Sequence, residues 1–231
     1  MAALKERIPE RLTARSNTTR AKLLATAERL FAEHGIDGAS LNEISRAAGQ
    51  RNSNVCQYHF GSKQGLIQAI LDKHVPGIAA RRNQLLDALE TRAAFDLRDL
   101  ARAFVRPVSE KLADPDGGAE FIRINAGLVA LHTLYAFGVP VSSLRLARAA
   151  RFRRLLAPLL AASGLPEAVA QQRMMLGAVV LFHGLADHCR MRDATAARGA
   201  ALDTPLFIAT LEDSIVGLWA APPVAARPQT R

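Results

Sequence analysis

Apolar residues recur every three or four positions along most of this chain, and no stretch settles into the every-other-residue alternation of a half-buried strand. The pattern predicts an all-helical protein of about nine helices. Leu23, Ala27, Leu30 and Phe31 form one stripe of a first helix that starts at Thr18 or Thr19 and ends at His34, with Gly35 placed for a left-handed terminus. After "GIDGAS" a second helix opens on "SLNE", in which the Ser40 hydroxyl can cap an amide while Glu43 reaches back, and Leu41, Ile44 and Ala48 face inward until Gly49 ends the run. A short third helix, Ser53 to His59, turns Cys56 and Phe60 inward, and Ser62 caps a long fourth helix carrying Ile67, Ile70, Leu71 and His74. Pro76-Gly77 is expected to kink or break that helix.

Two short helices around a glycine turn, supported by a longer one, make a helix-turn-helix. Beyond it the chain becomes rich in alanine and leucine. Helices are expected over 96–112, 118–137, 142–162, from Pro166 to Met191, and from Thr204 to Ala220. The domain plan is therefore a flexible basic arm (1–17), a helix-turn-helix unit (18–72), a larger helical unit (73–220) and a proline-rich tail (221–231) that is expected to be disordered.

At 231 residues, 49% of them hydrophobic, the chain can bury a sizeable core. Thirty Lys and Arg against 21 Asp and Glu give a net charge of +9, which favours an anionic partner without choosing among nucleic acid, membrane surface and acidic ligand. "MAALKERIPERL" carries charge where a secretory signal needs an apolar run, so a cytoplasmic location is expected. The longest apolar runs, 126–141 and 174–186, fall short of the roughly 20 residues that span a bilayer. Cys56 and Cys189 have no paired spacing, which argues against a disulfide framework or a thiolate metal site.

One segment departs from the apolar background: "AGQRNSNVCQYHFGSKQGL", residues 48–66. Asn and Gln side chains can bind adenine through two hydrogen bonds in the major groove, so Asn54 and Gln57 are the leading base-reading candidates. Asn42, Arg51, Tyr58, His59 and Lys63 suit phosphate contact, and Asn52 and Ser53 belong to the same polar surface. The competing interpretation is a plain polar turn followed by a core aromatic cluster, Tyr58-His59-Phe60.

Residues 18–72 resemble the DNA-binding domain of the tetracycline-repressor (TetR) family of bacterial transcription regulators. The likeness is carried by "AKLLATAERLFAEHGIDGASLNEISRAAG", with its G-x-x-G-x-S turn, and by "YHFGSKQGLIQAIL", similar to the aromatic-His-Phe-x-Ser-Lys signature that opens the family's fourth helix. The turn "GQRNSN" is one residue longer than the commonest family pattern, and Gln57 stands where that pattern usually has tyrosine. The resemblance implies a homodimer on a pseudo-palindromic double-stranded DNA operator, repression, and release by an unidentified small-molecule effector. It implies an effector pocket among the middle helices, for which Phe104, Leu128, His132, Tyr135 and Phe137 are candidates, and a swing of the fourth helix with Pro76-Gly77 as a hinge. It also implies a four-helix dimer interface built from the last two helices, for which Leu176, Val180 and His183 and then Phe207, Leu211, Ile215 and Leu218 are candidates, with Gly177 and Gly184 permitting close approach. From periodicity alone, those stripes serve the protomer's own core equally well.

Arg145, Arg148, Arg151 and Arg154 recur at three-residue spacing, which suits either a solvated basic face or an anion such as a coenzyme A phosphate. A competing class is a helical enzyme or metal protein using His183, Asp187, His188 and Cys189. His183 and Asp187 share a helix face, but the other two point progressively away. No glycine-rich phosphate loop follows a strand, and no cofactor, metal or catalytic activity is expected.

Overall fold

The computed structural model describes residues 3–136 and 150–222, with side chains over 16–129 and 150–222. All regular structure among these residues is helical: α1 (Ala3–His34), α2 (Leu41–Ala47), α3 (Val55–Phe60), α4 (Lys63–Glu90), α5 (Leu97–Ser109) running into a 3-10 turn (Glu110–Ala113), α6 (Gly118–Ala136), α7 (Ala150–Ala162), α8 (Glu167–Ala196) and α9 (Thr204–Ala220).

The local signals act as expected. Ser40 and Glu43 form a reciprocal capping box at α2, and the Ser62 side chain accepts from the Gly65 amide to start α4. In the G-x-x-G turn, Gly35 has φ +77°, and a Cβ at Gly38 would lie 2.2 Å from the His34 carbonyl oxygen. Only glycine lets the chain double back so closely on the end of α1. Leu23, Ala27 and Phe31 meet Ile44, Cys56, Leu66 and Ile70 to form the core of the helix-turn-helix unit.

Two expectations change. α1 begins at Ala3, so residues 3–17 extend the first helix where an irregular arm was expected. Lys5, Glu6, Arg7, Arg11, Leu12 and Ala14 are good helix formers, and adding turns to an existing helix carries no nucleation cost. α4 also runs unbroken through Pro76 to Glu90. Pro76 and Gly77 are exposed, while Leu71, His74 and Ile78 are buried on the opposite side. An interior proline costs about 3 kcal/mol, and burial on both sides of it offsets that loss. α4 therefore belongs to both units, and the boundary placed after residue 72 falls inside it.

α4 also packs on α5, α1 on α6, α6 along α8, and α9 against both α5 and α8. The first of the two junctions that follow is polar. Glu28 of α1 is only 1% exposed, with one carboxylate oxygen 2.8 Å from His74 Nε2 and the other 2.9 Å from Lys73 Nζ. Lys73 continues to Asp116 at 2.8 Å, and the His74 ring packs on Phe121 with centroids 4.6 Å apart. Gly117 has φ +79°, and a Cβ there would sit 2.5 Å from a Glu28 oxygen.

The second junction, α8 against α9, is close because of two small residues. A Cβ on Gly177 would lie 3.0 Å from Trp219 Nε1, and one on Gly184 would lie 3.5 Å from Leu211 Cδ1. The close approach expected of these glycines is thus made inside the protomer. His188 completes the seam, 3.0 Å from Thr204 Oγ1 and stacked on Phe207 at 4.1 Å between centroids.

Replacing Glu28 with alanine leaves Lys73 and His74 facing an empty buried site, and is expected to cost about 3 kcal/mol in denaturant unfolding. Gly117→Ala should also destabilise, by about 1–3 kcal/mol, because it combines a left-handed backbone with a clash against Glu28. Burial, reinforced by nearby Arg192, pushes His188 below the usual histidine range. The unfolded chain then binds the extra proton more readily, so this contribution is full above about pH 6.5 and shrinks as pH falls through the folded value. His188→Gln should flatten the decline in thermal midpoint between neutral and mildly acidic pH.

Candidate nucleic-acid interface

The site is built outward from Ser45. This residue is fully buried on α2, donates its hydroxyl to the Leu41 carbonyl at 2.9 Å, and accepts from the Cys56 amide at 3.1 Å. A backbone donor in the first turn of α3 is thereby fixed to α2, and the angle between the helices is set by a hydrogen bond as well as by packing. Asn52 Oδ1 accepts from the Asn54 amide at 2.9 Å, an Asx turn that shapes the entry to α3. Sequence reasoning missed Ser45; its only local signal is a small polar residue in an inward position next to Ile44.

α3 has two distinct sides. Cys56 is fully buried, and burial pushes its thiol up to about 11. Val55 and Phe60 pack against the core, and the Arg20 guanidinium lies 4.9 Å over the Phe60 ring. On the outer side Asn54, Gln57 and Tyr58 share one face at helical spacing, all exposed, with Tyr58 84% exposed. That exposure excludes Tyr58 from a core aromatic cluster. Its ring meets His59 edge-on at 5.3 Å, and His59 is half-buried between Tyr58 and Phe60.

Asn54 occupies the N-cap position of α3, yet its side chain makes no capping hydrogen bond, and the residue is exposed. Asn42, Arg51, Asn52 and Ser53 are exposed around the same surface. Lys63 differs from expectation. Its ammonium donates to the Ile36 carbonyl at 2.9 Å, tying the start of α4 to the turn after α1. One of its three donors therefore serves the fold.

The other candidate groups are more scattered. Leu128 is buried and Phe104 half-buried. His132 and Tyr135 lie in α6 where side chains fall outside the described set, and Phe137 lies outside the described residues altogether. On α8, Leu176, Val180 and His183 face outward, whereas on α9 Leu211 and Ile215 are buried within the protomer and Phe207 and Leu218 are half-buried. Leu211 and Ile215 thus belong to the protomer core, because they fill the α8–α9 seam.

Arg145 and Arg148 lie outside the described residues. Arg151 pairs with Asp87 and Glu90 of α4, which removes it from a row of free cations, while Arg154 is exposed. The grouping His183, Asp187, His188 and Cys189 does not converge: Asp187 pairs with Arg190, His188 bonds Thr204, and Cys189 is buried. Among the described residues no three His, Cys, Asp or Glu side chains come together as a metal site, and no helix is long and apolar enough to cross a membrane.

Residues 23–70, from the buried stripe of α1 to the first turns of α4, match the family model described as bacterial regulatory proteins, tetR family. No curated protein matches the chain. The matched span contains the capping box, the Ser45 anchor and the exposed face of α3. The match identifies residues 23–70 as a DNA-binding domain of the tetR type, and it makes the chain a DNA-binding transcriptional regulator.

Proposed function

We propose that this regulator acts in the cytoplasm as a homodimeric repressor, reads a pseudo-palindromic operator through α3, and releases it when a small molecule binds the unit formed by α5 to α9. The observation that carries the DNA-reading part is the exposed face Asn54, Gln57 and Tyr58, held at a fixed angle by Ser45. Asn54 and Gln57 are assigned to base edges and Tyr58 to the phosphate backbone. Arg51 is assigned to phosphate as well, together with Asn42 and the donors that remain on Lys63.

A six-residue helix reaches only a few base pairs, so tight specific binding calls for a second copy. Two half-sites one helical turn apart place the paired α3 helices about 34–36 Å apart. The surface proposed for pairing is the outer side of α8 and α9. Leu176 is 50% exposed, Leu206 63%, and Val180 lies beside them in the sequence of exposed apolar positions, with His183 one turn on. Leucines left this open to water suit an interface core. Leu206 takes the place that periodicity assigned to Leu211 and Ile215.

Effector release requires a molecule that binds the DNA-incompetent arrangement better than the competent one. The half-buried aromatic Phe104 of α5 supports a ligand site in the second unit. α4 supports the coupling, since it joins the helix-turn-helix core to α5 without interruption.

Gel-shift titration across salt concentrations tests the DNA contacts. Asn54→Ala with Gln57→Ala should weaken specific binding by about 2–6 kcal/mol while leaving the salt slope intact, because each two-bond base contact is worth about 1–3 kcal/mol. Arg51→Ala should instead lower the slope of log affinity against log salt by about one and weaken all sequences alike. Unchanged site preference in the double variant would remove α3 from base reading. Ser45→Ala should cost about 1–2 kcal/mol of stability and reduce operator affinity as well, since it orphans the Cys56 amide. For the dimer, Leu176→Asp combined with Leu206→Asp is expected to give a folded monomer in sedimentation analysis that no longer retards operator DNA. A dimer that persists in this variant would place the interface elsewhere.

A further inference from the structure

Arg81 and Arg82 stand side by side on α4 but meet different surroundings. Arg81 reaches Glu110 at 2.9 Å, and on facing α5 Arg106 reaches Glu212 at 2.8 Å, with Arg102 beside it at 3.7 Å. Arg82 is half-buried and lies instead against α5. Its Nε donates to the Ala103 carbonyl at 3.4 Å, a long bond, and its guanidinium lies over the Phe104 ring at 5.9 Å from the centroid. Among the described residues no carboxylate pairs with it. Residues 130–149, whose side chains are not described, contain neither Asp nor Glu and supply no acid to complete the pair.

A half-buried guanidinium gives up part of its hydration, and no opposite charge on this protein replaces what is lost. Burial alone lowers this one to about 10, which still leaves it charged at neutral pH. The Phe104 ring beneath it continues into an aromatic group: Phe152 stacks on Phe104 at 5.3 Å, and Trp219 lies 5.7 Å from Phe104 and 6.1 Å from Phe152. A half-buried cation with no carboxylate partner, next to an aromatic wall, has the composition of a site for an amphipathic anion.

We propose that Arg82 is the anion-binding head of a ligand site in the second unit, and that the ligand is a monocarboxylate whose aromatic or aliphatic body lies along Phe104. The charge count favours a carboxylate over a phosphate, because one cation matches one negative charge and a phosphate dianion would need a second. With Nε engaged by Ala103, the two terminal nitrogens remain as a planar fork matched to two carboxylate oxygens. This assignment rests on the proposed ligand-sensing role of the second unit and narrows its chemistry.

The test uses the full chain in calorimetry with benzoate, phenylacetate and octanoate, each beside its uncharged amide, and with inorganic phosphate. At least one carboxylate is expected to bind, its amide at least about tenfold more weakly, and phosphate no better than the amide. Arg82→Gln should weaken that carboxylate by about tenfold or more and Arg82→Lys by less, since lysine keeps the charge and loses the fork. Without ligand, Arg82→Gln should leave the thermal midpoint unchanged or raised, because it removes a half-buried charge that no carboxylate offsets. Four results would overturn the assignment: no carboxylate binding, equal binding of acid and amide, binding unaltered in Arg82→Gln, or strong destabilisation of the ligand-free variant. Gel shifts with the same compounds separate the two ideas. A carboxylate that binds through Arg82 without altering DNA affinity removes the effector role and leaves the site; release by other compounds while no carboxylate binds removes the site and leaves the effector role.

Discussion

A carboxylate can be taken almost wholly out of water only where donors are already waiting for it, and the placement of Glu28 shows how much of this molecule is arranged around that requirement. One oxygen faces His74 and the other Lys73, so α1 is bound to α4 by charge and direction as well as by apolar contact. The turn before α6 closes over the same group, with Gly117 bare of a side chain because the carboxylate occupies that space. A helix of the DNA-reading unit, the shared helix α4 and the first turn of the second unit thus meet at one acid. Nonpolar packing tolerates sliding; a buried ion pair with fixed geometry resists it.

From that fixed point the recognition surface follows in two steps. α1 and α4 hold α2 through Leu23, Phe31, Ile44 and Ile70, and α2 holds α3 through the Ser45 hydroxyl. The base reading proposed for α3 needs side chains positioned to within fractions of an ångström, and α3 is too short to hold itself. Its accuracy is borrowed from the longer helices. Lys63 serves the same end from the other side, fastening the start of α4 to the turn after α1.

What could be read in the sequence was whatever is decided over a few residues. The capping box at Ser40, the Ser62 cap, the left-handed Gly35 and the inward Cys56 are set by neighbours three or four positions away, and each appears where the spacing puts it. The exposed polar face of α3 was legible because Asn54, Gln57 and Tyr58 share one side of any helix drawn through them. Contacts between distant residues were not. Glu28 lies 46 positions from His74, Ser45 is 11 from Cys56, and Lys63 is 27 from Ile36. Periodicity likewise shows that α9 has an apolar stripe but not which neighbour covers it, so Leu211 and Ile215 turn out to be interior while Leu206 lies open. Pro76 misled for the related reason that a local penalty was outweighed by burial along the rest of α4.

The burial of Cys56 has a chemical consequence for α3. With its thiol held at about 11, roughly one molecule in ten thousand carries the reactive thiolate at neutral pH, and the sulfur is sealed beneath α3. Peroxide and electrophiles attack the thiolate, so this position is shielded twice, by ionisation and by access. The second cysteine, Cys189, is also buried and likewise shifted upward. An oxidant that modifies exposed thiols would find neither an open sulfur nor an appreciable thiolate at Cys56 beneath α3.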